Sequence, residues 1–423
     1  MKIIIVGAGI GGLVTALSLE AAGFRDIVIA ERAPEMLPLG VGLNLLPHAV
    51  RELTELGVAD RVAELGVEPG TLAYHNRHGQ LIWEEPRGRD AGYAWPQLSV
   101  HRGRLQLLLR DLVEERLGDV IRLGHRLVAV DEAGTTAGAT RATATFALAR
   151  GGEAELSGDL IIGADGIHSA LRAQLYPAEG SPRWSGLTLW RGTAVIEPYL
   201  DGRTMVMLGD GEQKFVAYPL SAPRGDGRVR VNFIAEQRGE GLPSADWNRG
   251  VERDPVARLF DGWSYGWLDI PAIITDAEEL LEYPMVDRDA LPRWTFGRTT
   301  LLGDAAHAMY PNGSNGGSQA ILDARTLAHR LATQDVDSAL AAYEAERRPA
   351  TAKLLELTRQ SGPERVMQLA RERAPQGFSD VHDVIGEEEL QRIAHEYKRA
   401  AGFDPAQLSA RSTLSATRWT ADA

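Results

Sequence analysis

The chain has 423 residues, a formal net charge of −13 at pH 7 and no cysteine. The lack of cysteine excludes disulfides, thiolate metal sites and thiol nucleophiles, and the acidic balance argues against binding to nucleic acid or to anionic membranes. No apolar run approaches the ~20 residues that span a bilayer, and no signal peptide is recognisable, so we expect a soluble cytoplasmic protein.

The chain opens with a strand–turn–helix–strand pattern that is typical of dinucleotide binding. Residues 3–6 are apolar and run into a Gly-x-Gly-x-x-Gly turn, a helix is predicted over 12–22, and the next strand ends in an acidic residue. The first glycine permits the tight turn, the second lets a pyrophosphate approach the backbone, and the third lets helix and strand pack closely. The helix N-terminus attracts phosphates, and the acidic residue accepts hydrogen bonds from a ribose. The predicted binding residues are Gly7, Gly9, Ile10, Gly12, Glu31 and Arg32, and a glycine-rich turn without a ligand is the alternative.

The remaining elements are predicted from hydrophobic periodicity and turn residues. Helices are predicted at 48–56, 102–117, 317–331 and 336–358, with a short one within 246–263. Strands are predicted at 122–130 and 142–149 around a turn at 134–138, and again at 159–163 and 299–302. Short alternating runs indicate a mostly antiparallel sheet from 187–195, 204–207, 215–218 and 228–234. The glycine-rich segment 38–47 is interpreted as a loop, and the residues after 362 as peripheral helices without a core stripe, ending in a loose tail.

These elements predict two interleaved domains in an α/β chain. Residues 1–70, 100–180 and 285–360 return to one sheet and form a discontinuous nucleotide-binding domain. Residues 71–99 and 181–284 form a sheet domain that caps it and would hold a substrate, and 361–423 form the C-terminal helices and tail.

Three strand ends carry turns of a ligand-binding type. They are the glycine turn at 7–12, the Asp165-Gly166 turn and the Gly303-Asp304 turn. Together they resemble the group A flavoprotein monooxygenases, the aromatic hydroxylases of the para-hydroxybenzoate hydroxylase type, over about residues 1–350. The resemblance implies a Rossmann-like FAD-binding domain in which the first turn holds the FAD pyrophosphate. It also implies that Asp165-Gly166 contacts FAD and the incoming nicotinamide, and that Gly303-Asp304 bonds the ribityl chain.

Finer segments are similar to one branch of this family. They lie at 39–44, 99–106, 190–192, 283–289 and 309–317. The branch is that of the 5-methylphenazine-1-carboxylate 1-monooxygenase-like enzymes, with the salicylate and 3-hydroxybenzoate hydroxylases as near neighbours.

Further cofactor residues are expected in these segments. The glycine-rich stretch 311–317 precedes a helix, so its backbone N–H groups can face the flavin N1/O2 edge, where negative charge accumulates on reduction. Arg102 and Gln106 lie one turn apart on one helix face; the resemblance puts Arg102 near the FAD phosphates, and an exposed surface arginine is the alternative. The resemblance also puts the segment around Asn44 near the ring. The residues predicted here are Asn44, Arg102, Gln106, Pro311, Gly313, Asn315 and Gly316.

The capping sheet carries the predicted substrate pocket. Its aromatic residues and alternating methionines suit a planar apolar ring, and ordinary core packing explains them equally well. The predicted pocket residues are Trp190, Met207, Phe215, Tyr218 and Pro311. His75 and His78 have no third ligand nearby in the sequence, so no metal site is predicted.

The resemblance implies a function in which the cofactor carries the chemistry. Non-covalent FAD would take electrons from NADH or NADPH, react with O2, and hydroxylate an aromatic or N-heteroaromatic ring through a flavin C4a-hydroperoxide, with or without decarboxylation. No catalytic side chain is then required. NADH is mildly preferred because no basic cluster for a 2′-phosphate is evident, and the protein is expected to be a monomer or homodimer.

Two alternative functions are considered. A flavin halogenase would carry a Trp-x-Trp-x-Ile-Pro signature, which the segment Trp267-Leu-Asp-Ile-Pro matches only in part. A non-catalytic FAD-binding protein would keep the three turns without turnover.

Overall fold

The structure is a computed structural model that describes residues 1–131, 136, 138, 140–239, 241 and 249–417. No helix within these residues is both long enough and apolar enough to cross a membrane. The predicted turn at 134–138 and the first residues of the predicted helix at 246–263 lie mostly outside the described residues.

The strands form two large sheets and three small ones. In chain order the strands are β1 (Ile3–Val6), β2 (Ile27–Ala30), β3 (Gly42–Leu45), β4 (Gly66–Val67), β5 (Thr71–His75), β6 (Leu81–Pro86), β7 (Leu98–His101), β8 (Ile121–Arg122), β9 (His125–Val130), β10 (Ala142–Leu148), β11 (Glu153–Gly158), β12 (Leu160–Gly163), β13 (Arg183–Ile196), β14 (Thr204–Gly209), β15 (Gln213–Pro219), β16 (Val229–Arg238), β17 (Arg249–Gly250), β18 (Ser264–Tyr265), β19 (Leu268–Asp269), β20 (Glu279–Asp287), β21 (Thr295–Phe296) and β22 (Thr299–Leu301).

The helices surround these sheets. In chain order they are α1 (Ile10–Ala21), α2 (Pro47–Glu55), α3 (Ala59–Ala63), α4 (Arg102–Leu117), α5 (Ala170–Leu175), α6 (Arg253–Leu259), α7 (Ile270–Thr275), α8 (Asp304–His307), α9 (Gly316–Thr333), α10 (Val336–Arg359), α11 (Arg365–Arg373), α12 (Glu387–Ala400) and α13 (Pro405–Ala410). Short 3-10 turns lie at Gly88–Ala91, Gly362–Glu364 and Val381–Asp383.

The first sheet brings the three predicted turns to one edge. Its strand order is β21-β22-β12-β1-β2-β8, and all pairs are parallel except β21 with β22. Val6 pairs with Gly163, and Gly163 pairs with Leu301, so β1, β12 and β22 end side by side. Because parallel strands present their carboxyl ends at the same edge, the turns that follow them are neighbours.

Helix α1 packs this sheet against the rest of the first core. It begins after Gly9, contacts α4 and α9, and buries an apolar face that includes Leu13 and Leu17. Gly23, two residues past its end, adopts a left-handed φ of +95°, a conformation in which a side chain would be strained. The βαβ start predicted at 2–31 is therefore confirmed.

The second sheet has two faces with different partners. Its order is β17-β20-β13-β16-β15-β14-β5-β6, and only the β14–β5 pair is parallel, which confirms the mostly antiparallel prediction. One face packs Phe215 and Phe233 against α6 and α7. The opposite face, which we call the inner face, carries Met207, Val216 and Tyr218 and meets α11. Side chains alternate between the faces because a strand has a period of two.

The segment 38–47 is not a loop throughout, as its glycines had suggested. Residues 42–45 form β3, which pairs with β7 so that Asn44 faces Ser99. The pairing is long-range, and tertiary contacts of this kind override a low local strand propensity.

The C-terminal helices are not peripheral, and the prediction of a loose tail is wrong for the described residues. Helix α11 buries Met367 in the cluster of the inner face, and α12 adds Leu390 to it. Beyond α13, the carbonyl of Arg411 accepts a hydrogen bond from Arg51 at 2.7 Å, and Arg325 donates to Ser415 Oγ at 2.9 Å. The tail is therefore fastened to α2 and α9.

Replacing Leu390 with alanine tests whether the C-terminal helices belong to the core. Leu390 is 0% exposed, so we expect the Leu390→Ala protein to lose about 2–5 kcal/mol of unfolding free energy. Leu123→Ala is the matched control, because that leucine is 39% exposed. Urea unfolding measures both, and equal losses in the two variants would contradict an integrated C-terminus.

Candidate functional site

A cavity of about 460 Å³ opens where β1, β2 and β12 end. Its walls come from the turns after these strands, from the start of α4 and from β9. The residues that line it are Val6, Gly7, Gly9, Ala30, Glu31, Arg32, Arg102, Gln106, His125, Arg126, Leu127, Ala164, Asp165, Gly166, His168 and Ala170. The structure thus brings together residues that sequence analysis had predicted separately in the first two turns and at the start of α4.

The three glycines of the first turn differ in what surrounds them. A Cβ on Gly7 would lie 2.4 Å from the carbonyl oxygen of Ala164, and one on Gly12 would lie 2.0 Å from that of Gly7. No atom lies within 4 Å of a Cβ on Gly9. Gly7 and Gly12 therefore serve the packing of the turn, whereas Gly9 leaves space beside the open N-terminus of α1. That space suits an anion, which the free N–H groups would bind.

Glu31 and Gln106 both bond the backbone of Ala8, one at its N–H group and the other at its carbonyl. The Glu31 carboxylate accepts from the backbone N–H groups of Ala8 at 2.7 Å and Ala33 at 2.8 Å. Gln106 Nε2 donates to the carbonyl of Ala8 at 2.8 Å. These bonds fix the shape of the glycine turn, so both residues act on its geometry as well as lining the cavity.

The cavity has a positive side that suits phosphate groups. Arg32, Arg102 and Arg126 line it together with the carboxylates of Glu31 and Asp165. Guanidinium groups form strong charge-assisted bonds to phosphate oxygens. The arginines are more numerous than the carboxylates around the glycine turn, so an anionic pyrophosphate is favoured there.

Asp165 presents a half-satisfied carboxylate to this cavity. Its Oδ2 accepts from the N–H groups of Ala170 at 2.8 Å and Leu171 at 3.3 Å, at the start of α5. Its Oδ1 is buried and has no partner among the described residues. Burial raises the pKa of Asp165. An unpaired buried oxygen is costly, so a ligand that donates a hydrogen bond at this point would stabilise the site.

The third turn lies beside the N-terminus of α9. Gly303 adopts a φ of +61°, and Asp304, the first residue of α8, is exposed. The Asp304 carboxylate lies 3.9 Å from where a Cβ on Gly316 would be. Because Gly316 begins α9, an exposed carboxylate and the free N–H groups of a long helix share one surface.

Behind this turn lies a buried charge cluster that sequence analysis did not find. Asp323 accepts from the Gly303 N–H at 3.0 Å, from His307 Nε2 at 2.6 Å and from Arg347 Nε at 2.7 Å. Burial raises the pKa of Asp323, but the charges and hydrogen bonds of His307 and Arg347 lower it further, to about 2. His307 is therefore a hydrogen-bonded partner of this buried carboxylate.

The same network extends to the glycine-rich loop. Arg347 donates to Gln319 at 2.6 Å, and Gln319 donates to Asn315 Oδ1 at 3.2 Å. Asn315 Nδ2 donates to the Tyr397 hydroxyl at 2.9 Å, which donates to the carbonyl of Asn312 at 3.1 Å. Tyr397 in α12 thus clamps the loop 311–317.

A close contact reinforces this clamp. Gly313 has a φ of +76°, and a Cβ on it would lie 2.1 Å from the Tyr397 hydroxyl. Only glycine leaves room for the tyrosine here. The sequence signal for Tyr397 was its position on an apolar stripe with Leu390 and Ala394 in α12, but the partner of that stripe could not be read from the sequence.

The other predicted residues are distributed as follows. Ile10 begins α1, and Pro311 is exposed at the start of the loop. Asn44 does not line the cavity; it is buried, and its side-chain oxygen accepts from Ser99 Oγ at 2.6 Å. Its neighbour Leu43 contacts the loop instead, 3.4 Å from where a Cβ on Gly317 would lie.

The predicted substrate residues do not share one face of the capping sheet. Met207 and Tyr218 lie on the inner face. Phe215 packs against Phe233 and α6 on the other face, and Trp190 joins that cluster, with Nε1 3.1 Å from Glu282. The prediction that all four line one pocket is wrong, because strand register sends Trp190 and Phe215 away from the inner face.

Comparison with known proteins identifies the family. A family described as FAD binding domain matches residues 1–358. The phenazine 1,6-dicarboxylic acid hydroxylase PhzS of Lysobacter antibioticus is 42% identical over 364 residues, which cover 84% of this chain and 89% of that protein. The aurachin C monooxygenase/isomerase of Stigmatella aurantiaca is 35% identical over an alignment that covers 82% of this chain and 85% of that protein.

A solved structure agrees with these relatives. Klebsiella pneumoniae HpxO complexed with FAD and uric acid matches with a TM-score of 0.74 and 26% identity, over 96% of this chain and 98% of that one. The chain therefore belongs to the FAD-binding-domain family, and FAD is its cofactor. It is an FAD-dependent monooxygenase of the aromatic hydroxylase type, which confirms the resemblance and the predicted fold class and does not support the halogenase alternative.

The open space at Gly9 generates a sharp test. Gly9→Ala adds a methyl group that meets no protein atom, so we expect a folded protein with under about 1 kcal/mol change in unfolding free energy. We expect FAD affinity to fall at least tenfold, about 1.4 kcal/mol, because the methyl group occupies the approach to the turn. Gly12→Ala should instead destabilise the apoprotein. Flavin titration and thermal unfolding measure both effects, and unchanged FAD affinity in Gly9→Ala would contradict the assignment.

The Tyr397 clamp generates a second test. Tyr397→Phe leaves the Asn315 amide and the Asn312 carbonyl without their partner, which should cost about 1–3 kcal/mol of stability and weaken FAD binding through the loop. Tyr93→Phe is the matched control, because its hydroxyl donates to the carbonyl of Phe403 at 2.6 Å, in the same C-terminal region. Equal FAD affinity in the two variants would show that the clamp does not act on the cofactor site.

Proposed function

We propose that this chain is an NAD(P)H-dependent FAD monooxygenase that uses O2 to hydroxylate a planar aromatic or N-heteroaromatic substrate. The observation that carries the proposal is the single cavity to which Gly9, Glu31 and Asp165 contribute from distant parts of the chain. The residues fit the cofactor, since Asp165 Oδ1 is an unpaired buried acceptor and Gly9 borders open space.

The proposed cofactor contacts follow the edge of the first sheet. The glycine turn and Arg102 would bind the pyrophosphate, Glu31 the adenosine ribose, and Asp304 the ribityl chain. The loop clamped by Tyr397 would hold the ring edge against the first turn of α9. Bound FAD supplies electron transfer and oxygen activation, and the protein residues bind, orient and shield it from water.

The proposed substrate lies against the inner face of the capping sheet. Met207, Tyr218 and Met285 belong to one cluster there, together with Tyr310, the residue before Pro311. Adaptable methionines and aromatic side chains suit a flat ring. The names of relatives support this substrate class, since they include hydroxylases of a phenazine dicarboxylic acid, 6-hydroxynicotinate and 3-amino-4-hydroxybenzoate.

NADH is the proposed electron donor, with NADPH as the alternative. The three arginines that line the cofactor cavity would bind the FAD phosphates, so they are not assigned to the 2′-phosphate of NADPH. A cytoplasmic location and a monomeric or homodimeric state stay predictions.

A substrate panel tests the proposal. The FAD-loaded protein is mixed with NADH or NADPH and with benzoates, quinolines or phenazines, while nicotinamide oxidation, oxygen uptake and product mass are followed. We expect at least one ring to accelerate NADH oxidation more than tenfold and to gain one oxygen atom. The Gly9→Ala protein is the control, because it should fold but bind FAD at least tenfold more weakly. An FAD-loaded protein that oxidises neither nicotinamide with any ring would favour a non-catalytic flavoprotein.

A further inference from the structure

A second cavity, of about 340 Å³, adjoins the inner face and the glycine-rich loop. Tyr310 and Asn312, on either side of Pro311, line it, and Met285 contributes apolar surface. Its lining also includes Lys214, Glu236 and Glu364, which come from β15, β16 and the 3-10 turn before α11. We call these three residues the acidic triad.

The acidic triad is buried and carries unequal charges. The exposed fractions are 6% for Lys214, 3% for Glu236 and 7% for Glu364. Lys214 Nζ lies 3.0 Å from Glu236 Oε2 and is also bonded to Glu364 Oε2. One ammonium group thus faces two carboxylates. Burial and the charge of Glu364 raise the pKa of Glu236, even though Lys214 opposes this.

Asn312 adds an unpaired acceptor to the lining of the same cavity. The residue is only 8% exposed, and its side-chain oxygen has no partner among the described residues. A buried carboxamide oxygen without a donor costs free energy. The cavity lining therefore combines hydrogen-bond acceptors from Asn312 and the triad with apolar surface from Met285.

Arg238 and Arg359 also line the cavity, but both pair with carboxylates outside the triad. The charge of the triad therefore decides which ligand group suits the cavity. A carboxylate on the ligand would meet an ammonium group whose charge two glutamates already more than balance, so its burial would be unfavourable. A ring N–H, an amino group or a phenolic O–H would instead donate to the excess carboxylate or to the Asn312 oxygen. Hydrogen bonds to charged acceptors are about twice as strong as neutral ones.

We infer that this cavity binds the hydrogen-bond-donating edge of a hydroxylated or aminated heteroaromatic substrate, with Glu236 and Asn312 as the acceptors. Lys214 and Glu364 are positioning residues that hold the Glu236 carboxylate. The inference rests on the proposed function, because it assigns the substrate class to the same inner face. It predicts selection against acidic substituents at this end of the ring.

Ligand binding without turnover tests the inference. The FAD-loaded protein, without nicotinamide, is titrated with 1-hydroxyphenazine, 1-methoxyphenazine or phenazine-1-carboxylate, and the flavin absorbance change gives the dissociation constants. We expect the hydroxy compound to bind at least tenfold more tightly than either of the others. Glu236→Gln should reduce this preference to less than threefold. Glu212→Gln is the matched control, because this rim carboxylate has a side chain that is 46% exposed and pairs with Arg238.

A second variant tests the inference even if the Glu236→Gln protein does not fold. Glu364→Gln leaves one ammonium group facing one carboxylate, so it should raise the affinity for phenazine-1-carboxylate at least threefold. Equal affinities for the three ligands in the unmodified protein, or a preference unaltered by both variants, would overturn the inference. Either result together with NADH-dependent hydroxylation would leave the proposed function intact, whereas absence of turnover with every ring would contradict that function alone.

Discussion

The register between the parallel strands β1, β12 and β22 is the constraint on which the cofactor site depends. Val6, Gly163 and Leu301 lie side by side, so three turns far apart in sequence leave one edge of the sheet. The strands are fully buried, and a shift of one residue would turn every side chain to the wrong face. The hydrophobic core therefore fixes the turns relative to one another before any ligand binds. Pre-organisation of this kind reduces the conformational cost of binding.

A buried polar network connects this edge to the C-terminus. Asp323 bonds the Gly303 turn, and the chain of contacts through Arg347 and Gln319 ends at Tyr397 in α12. Removing one member would leave buried charges or donors unpaired. The free-energy cost of such an unpaired group exceeds the net stabilisation that the bond provides. The glycine-rich loop consequently depends on a helix that lies about eighty residues away along the chain. The C-terminal helices are thus part of the site's support.

A site residue could be predicted from the sequence when its signal lies in a short local motif. Gly9, Glu31 and Asp165 occur in short motifs whose spacing carries their chemistry, so their common location could be expected. The orientation of Phe215 could not, because the inward face of β15 is set by its pairing with β14 and β16. The role of Tyr397 could not be predicted either, because its apolar stripe does not indicate a partner and only the fold reveals that Gly313 lies against it. Local motifs were predictable, and long-range registers and partners were not.

The two cavities differ in charge. This difference suits the first to the cofactor phosphates and the second to the proposed substrate. The first is bordered by Arg32, Arg102 and Arg126, whereas the second ends in a triad with one more carboxylate than ammonium. Buried or partly buried charges are weakly screened by salt. A phosphate group is therefore favoured in the first cavity and disfavoured in the second, and a neutral donor is suited to the second. The loop 311–317 contributes Asn312 to the lining of the second cavity, and Tyr397 holds the backbone carbonyl of this residue. One loop would thus set the cofactor ring and the substrate edge at a fixed separation.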